Sequence, residues 1–176
     1  VVGHRDPAHL QRRICGGVGI AVAAMGLGER CDRAYAVSAP CQRSEEIAAR
    51  WAAVAVAVSV HSLSSHPLLT FGTEEQKQRW LPAMLSGAQI GAYSLSEPQA
   101  GSDAGALNCK ATPDDGGYTL TGAKAWITHG GKADFYTLFA RTGEGSRGVS
   151  CFLVPGDLAG LTFGTPEEKM DLHAGP

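Results

Sequence analysis

The chain has 176 residues, 44% of them hydrophobic and 18% charged, with a formal net charge of −2 and a pI near 6.3. That composition supplies a core and excludes disorder as the default state. A near-neutral balance without a basic run also excludes a nucleic-acid footprint or an anionic-membrane surface, which leaves a small molecule or another protein as the partner.

Five cysteines (Cys15, Cys31, Cys41, Cys109 and Cys151) are widely spaced and form no CxxC or Cys/His ligand pattern. The reading is reduced thiols in a cytoplasmic setting, with neither a zinc site nor a disulfide scaffold. Trp51 to Val60 is the longest apolar stretch and is too short to span a bilayer. Residues 1–13 are polar and lack the apolar core of a secretory signal.

Residues 1–43 form the least legible segment. Gly16-Gly17-Val18-Gly19 hints at a dinucleotide fingerprint, but Val22 stands where the GxGxxG spacing needs its third glycine. From Ser44 the pattern sharpens. Ser44 caps a predicted helix over 45–63 whose first turn carries Glu45 and Glu46, matched to the positive end of the dipole. Ala53 to Val60 alternates Ala with Val, so a strand is the rival there; the capped start favours helix. His66-Pro67 predicts a break. Thr73-Glu74-Glu75-Gln76 is a capping box that opens a second helix, running to about Trp80, where Leu81-Pro82 kinks or restarts it. Ser86-Gly87 closes the helical half.

Beyond Gly87 the character is β. Strands are predicted over 90–96, 107–111, 118–121, 123–128, 135–140, 149–154 and 161–163, with Pro113 to Gly117 as a hairpin turn. Short strands between Gly-rich turns imply a barrel or sandwich. The expected fold class is α+β: a helical N-terminal segment, then an antiparallel β-barrel, with the boundary near 87–90.

Two runs carry the chemistry. Tyr93-Ser94-Leu95-Ser96-Glu97-Pro98-Gln99-Ala100-Gly101-Ser102-Asp103 breaks at Pro98 into a loop rich in free amides and hydroxyls. Lys124-Ala125-Trp126-Ile127-Thr128-His129 presents a flat aromatic beside a hydroxyl. Loop amides suit a phosphate, and an aromatic face next to a hydroxyl suits a planar heterocycle; a flavin fits both. Alone, Gly101-Ser102-Asp103 is more often a surface turn, and a strand tryptophan is more often core. His61 and His66 read as satisfied or solvent-facing histidines, and His129 as loop. Glu144, Glu167 and Glu168 sit in turn-like segments, and none is nominated as a base.

The run Thr73 to Pro82, then Leu95-Ser96-Glu97-Pro98 with Gly101-Ser102-Asp103-Ala104, then Gly122-Ala123-Lys124-Ala125-Trp126-Ile127-Thr128, closely resembles the acyl-CoA dehydrogenase family. The resemblance covers residues 44–175. It implies a poorly matched segment at 1–43, a partial helical N-terminal domain at 44–88 and a flavin-binding middle β-barrel domain at 89–176. It further implies FAD as cofactor, with Tyr93, Leu95, Ser96, Gly101, Ser102, Trp126, Ile127 and Thr128 as the cofactor-binding residues. Ser96 would bond the pyrimidine end of the ring, and Gly101 with Ser102 would approach the pyrophosphate, Ser102 also meeting the substrate's pantetheine arm. Trp126 would lie on the flavin face away from substrate, and Thr128 would donate toward N5.

The implied reaction is α,β-dehydrogenation of an acyl-CoA thioester, with an electron-transfer flavoprotein as acceptor and a homo-oligomer as the full-length form. The family's catalytic glutamate lies in a C-terminal helical domain beyond Pro176, so the 176 residues alone are expected to be inactive. Asp171 stands where the family carries glycine, and Cys15 where a tyrosine precedes Gly-Gly. The alternatives kept open are a non-catalytic module that binds flavin or acyl-CoA or docks onto a homologue, and a related oxidase or flavin monooxygenase.

Overall fold

The structure is a computed structural model that describes residues 12–15 (backbone only), 44–145 and 147–167. The expectations for Gly16 to Gly19, Cys31, Cys41 and Asp171 fall outside the described residues.

The helical half departs from expectation in its boundaries. A short helical stretch over 44–48 gives way at Trp51, whose backbone is extended (φ −155°, ψ 92°), to α1 (Ala52–Phe71). The Ala/Val alternation is therefore helical, and α1 passes straight through Pro67, where a break was predicted. Proline inside a helix costs about 3 kcal/mol. Here Ser64, Ser65, Pro67 and Leu68 are all buried, and the Ser64 and Ser65 hydroxyls donate to the carbonyl oxygen of His61 in the preceding turn. Tertiary burial thus outweighs the local penalty. Pro82 is likewise carried inside α2 (Glu74–Leu85), between the buried Leu81 and Met84. The capping box is present as read: Thr73 Oγ1 accepts from the Gln76 N–H, and Gln76 Oε1 accepts from the Thr73 N–H.

By length and composition alone α1 could cross a bilayer, with a mean hydropathy of 1.3 over its most apolar window. Its polar middle is committed elsewhere. His61 Nε2 donates to the Met84 carbonyl (2.9 Å), His61 Nδ1 accepts from the Gly91 N–H (3.0 Å), and Thr137 Oγ1 donates to the Ser64 carbonyl. These bonds dock α1 on α2 and on the sheet.

The β half is a mixed sheet, and the described strands do not close into a barrel. Its strands are β1 (Arg12–Cys15), β2 (Gly91–Ser94), β3 (Lys110–Asp114), β4 (Gly117–Thr121), β5 (Phe135–Arg141) and β6 (Val149–Pro155). The order is β1-β4-β3-β5-β2, with β6 on β5. The expected antiparallel barrel fails on two counts. β2 pairs with β5 in parallel (Gly91↔Phe135 to Ser94↔Leu138), and β3 meets β5 in parallel at Lys110↔Arg141. The connection from β2 to β5 is long enough to include the whole β3–β4 hairpin, and only such a crossover permits parallel neighbours. Antiparallel pairing holds for β1–β4, β3–β4 and β5–β6.

Two predicted strands are absent. Residues 123–128 and 161–163 are loops. The first cannot be a strand because Trp126 (φ 56°) and its near neighbour His129 (φ 65°) lie in the left-handed region, which interrupts extended backbone. The hairpin turn is tighter than expected: Pro113 pairs within β3, and only Asp115-Gly116 turns, with Gly116 at φ 79°.

The central strands are apolar on both faces, as in sheets covered on both sides. Phe135, Phe139, Cys151 and Leu153 face Leu68, Leu81 and Met84 of the helices. Tyr136, Leu138, Ala140, Phe152 and Val154 face a second cluster with Ala92, Cys109 and Leu120. Burial pushes the Cys109 thiol up to about 11 and the Cys151 thiol up to about 12. Site-resolved alkylation at pH 8 is expected to leave both unmodified until the chain unfolds, because the thiolate is the nucleophile. Peptide mapping that finds either one labelled under native conditions would contradict the burial.

Candidate functional site

The two chemical runs lie side by side. The Ala125 N–H donates to the Ser96 carbonyl (2.9 Å), and His129 Nδ1 donates to the Gly91 carbonyl (2.9 Å). The stretch 124–129 therefore runs antiparallel to 91–96, tied near both ends. Ser96 and Thr128 are half-buried, while Gly101 and Ser102 are exposed. Trp126 is 54% exposed although it is the largest side chain in the segment. It is also a bulky residue at φ 56°, a conformation that costs about 1–2 kcal/mol outside glycine. An exposed indole held in a strained backbone is unexplained by core packing and is suited to stacking.

The remaining predicted residues point differently. Ile127 is buried in the core, and its carbonyl accepts from the Gly130 N–H. Tyr93 packs on Phe139 (5.1 Å between ring centres), and Leu95 is half-buried on the same cluster. Their side chains serve the sheet.

Pro98 does not simply break the strand. Glu97 and Ala100 exchange backbone bonds (2.7 and 3.1 Å), so Glu97-Pro98-Gln99-Ala100 is a tight turn that releases Gly101 and Ser102 outward. Asp103 Oδ1 accepts from the Gly105 N–H and starts the following 3-10 turn, Ala104–Ala106. A Cβ at Gly101 would meet no atom within 4 Å, so the loop face there is open. Arg141 holds the far side of this loop through the Leu107 and Gly105 carbonyls.

Beneath the loop lies a feature the sequence did not disclose. Glu97 and Lys124 are 2% and 3% exposed and form an ion pair at 2.8 Å. Lys124 Nζ also donates to the Leu95 carbonyl (2.9 Å). Glu97 accepts in addition from the Asn108 N–H (2.6 Å), the Cys109 N–H (3.0 Å) and Gln99 Nε2 (2.6 Å). The one available hint was Lys124, a single charge within the apolar run Ala123 to Ile127; Glu97 stands among polar and turn residues. The paired histidines on Gly91 were equally hidden: His61 takes its N–H and His129 holds its carbonyl.

Burial alone would raise the Glu97 pKa, but the Asn108 and Cys109 amides and the Lys124 ammonium outweigh it, and the carboxyl sits below its ordinary 4.5. A depressed folded value means the network's stabilisation is fully present above about pH 4.5 and is lost as pH falls through the folded value. Urea midpoints of wild type and Glu97→Gln are therefore expected to differ at pH 7 and to converge in acid. A gap that stays constant down to pH 2.5 would contradict this.

A small apolar cavity of about 40 Å³ lies under the sheet among Cys109, Leu120, Tyr136, Leu138 and Val154. None of Ser96, Ser102, Trp126 or Thr128 lines it, so the candidate site is the open surface made by the two runs.

A helical pair docked on a mixed sheet, with an exposed indole and two hydroxyl-bearing loops at one end, is chemically suited to a flat ring with a phosphate tail. Comparison with known proteins agrees. The family model for the acyl-CoA dehydrogenase N-terminal domain matches residues 15–88, and that for the middle domain matches residues 92–175. The chain belongs to the acyl-CoA dehydrogenase family, a family of oxidoreductases.

An acyl-CoA dehydrogenase of Bacillus subtilis is 45% identical over 131 residues, covering 73% of this chain and 35% of that protein. Butyryl-CoA dehydrogenase from Megasphaera elsdenii superposes with a TM-score of 0.67 at 41% identity, over 72% of this chain and 34% of the other. A glutaryl-CoA dehydrogenase from Mycobacterium smegmatis, solved in complex with FADH2, gives 0.59 at 37% identity, over 65% and 29%. The chain thus spans about a third of the length of the relatives it matches.

Proposed function

We propose that this chain carries the flavin-contacting portion of an FAD-dependent acyl-CoA dehydrogenase acting on an acyl-CoA thioester, with an electron-transfer flavoprotein as acceptor and a homo-oligomer as the working form. The observation that carries the reading is Trp126: a large aromatic, exposed and strained, fixed two residues from Thr128 and alongside Ser96. The solved relative holding a reduced flavin supports the same cofactor.

The residues present fit FAD. Trp126 offers a face for the ring, Thr128 and Ser96 offer hydroxyls and amides for its edge, and the open Gly101–Ser102 loop offers donors for the pyrophosphate. Bound FAD would supply a hydride acceptor for α,β-dehydrogenation. What the chain itself does is orient and desolvate. The turn at Glu97–Ala100 leaves Gly101 and Ser102 exposed, and the Glu97–Lys124 pair ties that turn to the stretch carrying Trp126. Glu97 cannot act as the base, because its oxygens are engaged by Lys124, Gln99 and two backbone amides.

The test is the visible spectrum of the purified chain after mixing with FAD and desalting. A retained and shifted flavin band is expected. A colourless protein would overturn the reading for this chain.

A further inference from the structure

Resting on the flavin reading, we infer that the buried Glu97–Lys124 pair is the positioning device of the site: it sets the spacing between the Ser96 stretch, the Ser102 loop and the Trp126–Thr128 stretch. All three hang from one carboxylate. Lys124 Nζ touches the Leu95 carbonyl and Glu97 Oε1, the residues either side of Ser96, and Lys124 itself lies two residues before Trp126. The same carboxylate takes the Asn108 and Cys109 amides, which closes the base of the segment carrying Gly101 and Ser102. The Ala125 to Ser96 bond then holds the backbones together directly above the pair.

The chemistry requires an acceptor-only group. Every neighbour that meets the Glu97 oxygens is a donor: Gln99 Nε2, two backbone N–H groups and an ammonium. A glutamine would turn an NH2 toward some of them and could not satisfy all. Nor is stability a sufficient reason for charge here. Desolvating an ion pair offsets most of its attraction, and apolar side chains of similar volume often do as well or better. What a buried pair with four fixed donors does supply is one allowed geometry. That geometry is needed where separate stretches of chain must present groups to a single rigid ligand.

The experiment is a binding titration with FAD itself, on the whole chain, for wild type, Glu97→Gln, Lys124→Met, the double variant and Glu97→Asp. A core variant away from the site, Phe152→Leu, serves as a stability control. Far-UV circular dichroism and thermal melts accompany each titration. Each single variant is expected to weaken FAD at least 10-fold and to alter the shape of the bound flavin's visible band. The double variant is expected to be no worse than the weaker single, since the pair acts as a unit.

Glu97→Asp keeps the charge and shortens the reach. It is expected to fold and still to bind FAD several-fold more weakly, so the idea stays testable if the neutral variants do not fold. Phe152→Leu is expected to lose stability but to keep FAD affinity within twofold. Wild type binding FAD while folded Glu97→Gln, Lys124→Met and Glu97→Asp bind it equally well, with an unchanged band, would overturn this inference alone. Equal loss of affinity in Phe152→Leu would reduce the pair to an ordinary stability element. A wild-type chain that binds no FAD would overturn the flavin reading and this inference with it.

Discussion

Trp126→Gly is expected to leave the fold as stable as wild type, or to stabilise it by up to about 1 kcal/mol, while cutting FAD affinity on the order of 100-fold. The two effects have opposite sign because they come from different physics. Trp126 sits at φ 56° with 54% of its surface exposed, so glycine relieves backbone strain of about 1–2 kcal/mol and gives up little packing. Against a bound ring, the same substitution forfeits the exposed indole surface, roughly 100 Å² at about 25 cal/mol per Å², plus about 0.5–1.5 kcal/mol of stacking. The sum is about 3 kcal/mol, and every 1.4 kcal/mol is a factor of ten. Trp126→Ala, which keeps a Cβ at the strained position, is expected to lose the affinity without the gain in stability. Fluorescence titration and thermal melting on the three proteins decide it. Unchanged FAD affinity, or a stability loss above 1 kcal/mol in Trp126→Gly, would return the residue to a packing role.

Gly91→Ala is expected to destabilise the fold by about 4 kcal/mol. A Cβ at Gly91 would overlap Ser64 Oγ of α1 and the Phe135 ring of β5, the strand paired with β2. Overpacking of this kind costs about 1–3 kcal/mol. Any shift that relieves it also pulls the Gly91 peptide away from His61 and His129, at about 1 kcal/mol for each bond lost. Urea unfolding measures the cost directly; a loss below 1 kcal/mol would show that β2 has room it does not display. Since His129 adjoins Thr128, the same variant is expected to weaken FAD binding even in its folded fraction.

What could be read from the sequence was local. The capping box at Thr73 and Gln76 involves atoms three residues apart, so its chemistry is complete in the written order. β5 and β6 were readable because both of their faces are buried, which leaves apolar runs interrupted only by Thr137 and Ser150. The residue types of the proposed site are local in the same sense: an indole near a hydroxyl, and a Gly-Ser loop after a proline.

The misreadings share the opposite cause. Pro67 and Pro82 are helix breakers on their own account and became interior residues only because Leu68, Leu81 and Met84 are buried against the sheet. Residues 123–128 have a strand's composition but lack its backbone, because Trp126 and His129 lie at positive φ in a stretch tied by the Ala125–Ser96 and His129–Gly91 bonds. Parallel pairing of β2 with β5 follows from where a long crossover packs, and no two-residue period encodes that.

By itself the sequence determined that two helices precede strands β2 to β6, though not that β1 joins the sheet from ahead of them. It also determined the chemistry on offer in the two runs and, through their wording, the family. The tertiary structure alone decided that the sheet is mixed and open, that Trp126 is presented to solvent and that Glu97 and Lys124 meet. Those outcomes depend on desolvation and on hydrogen bonds between groups far apart in the chain. Their energies exist only once both partners have left water together.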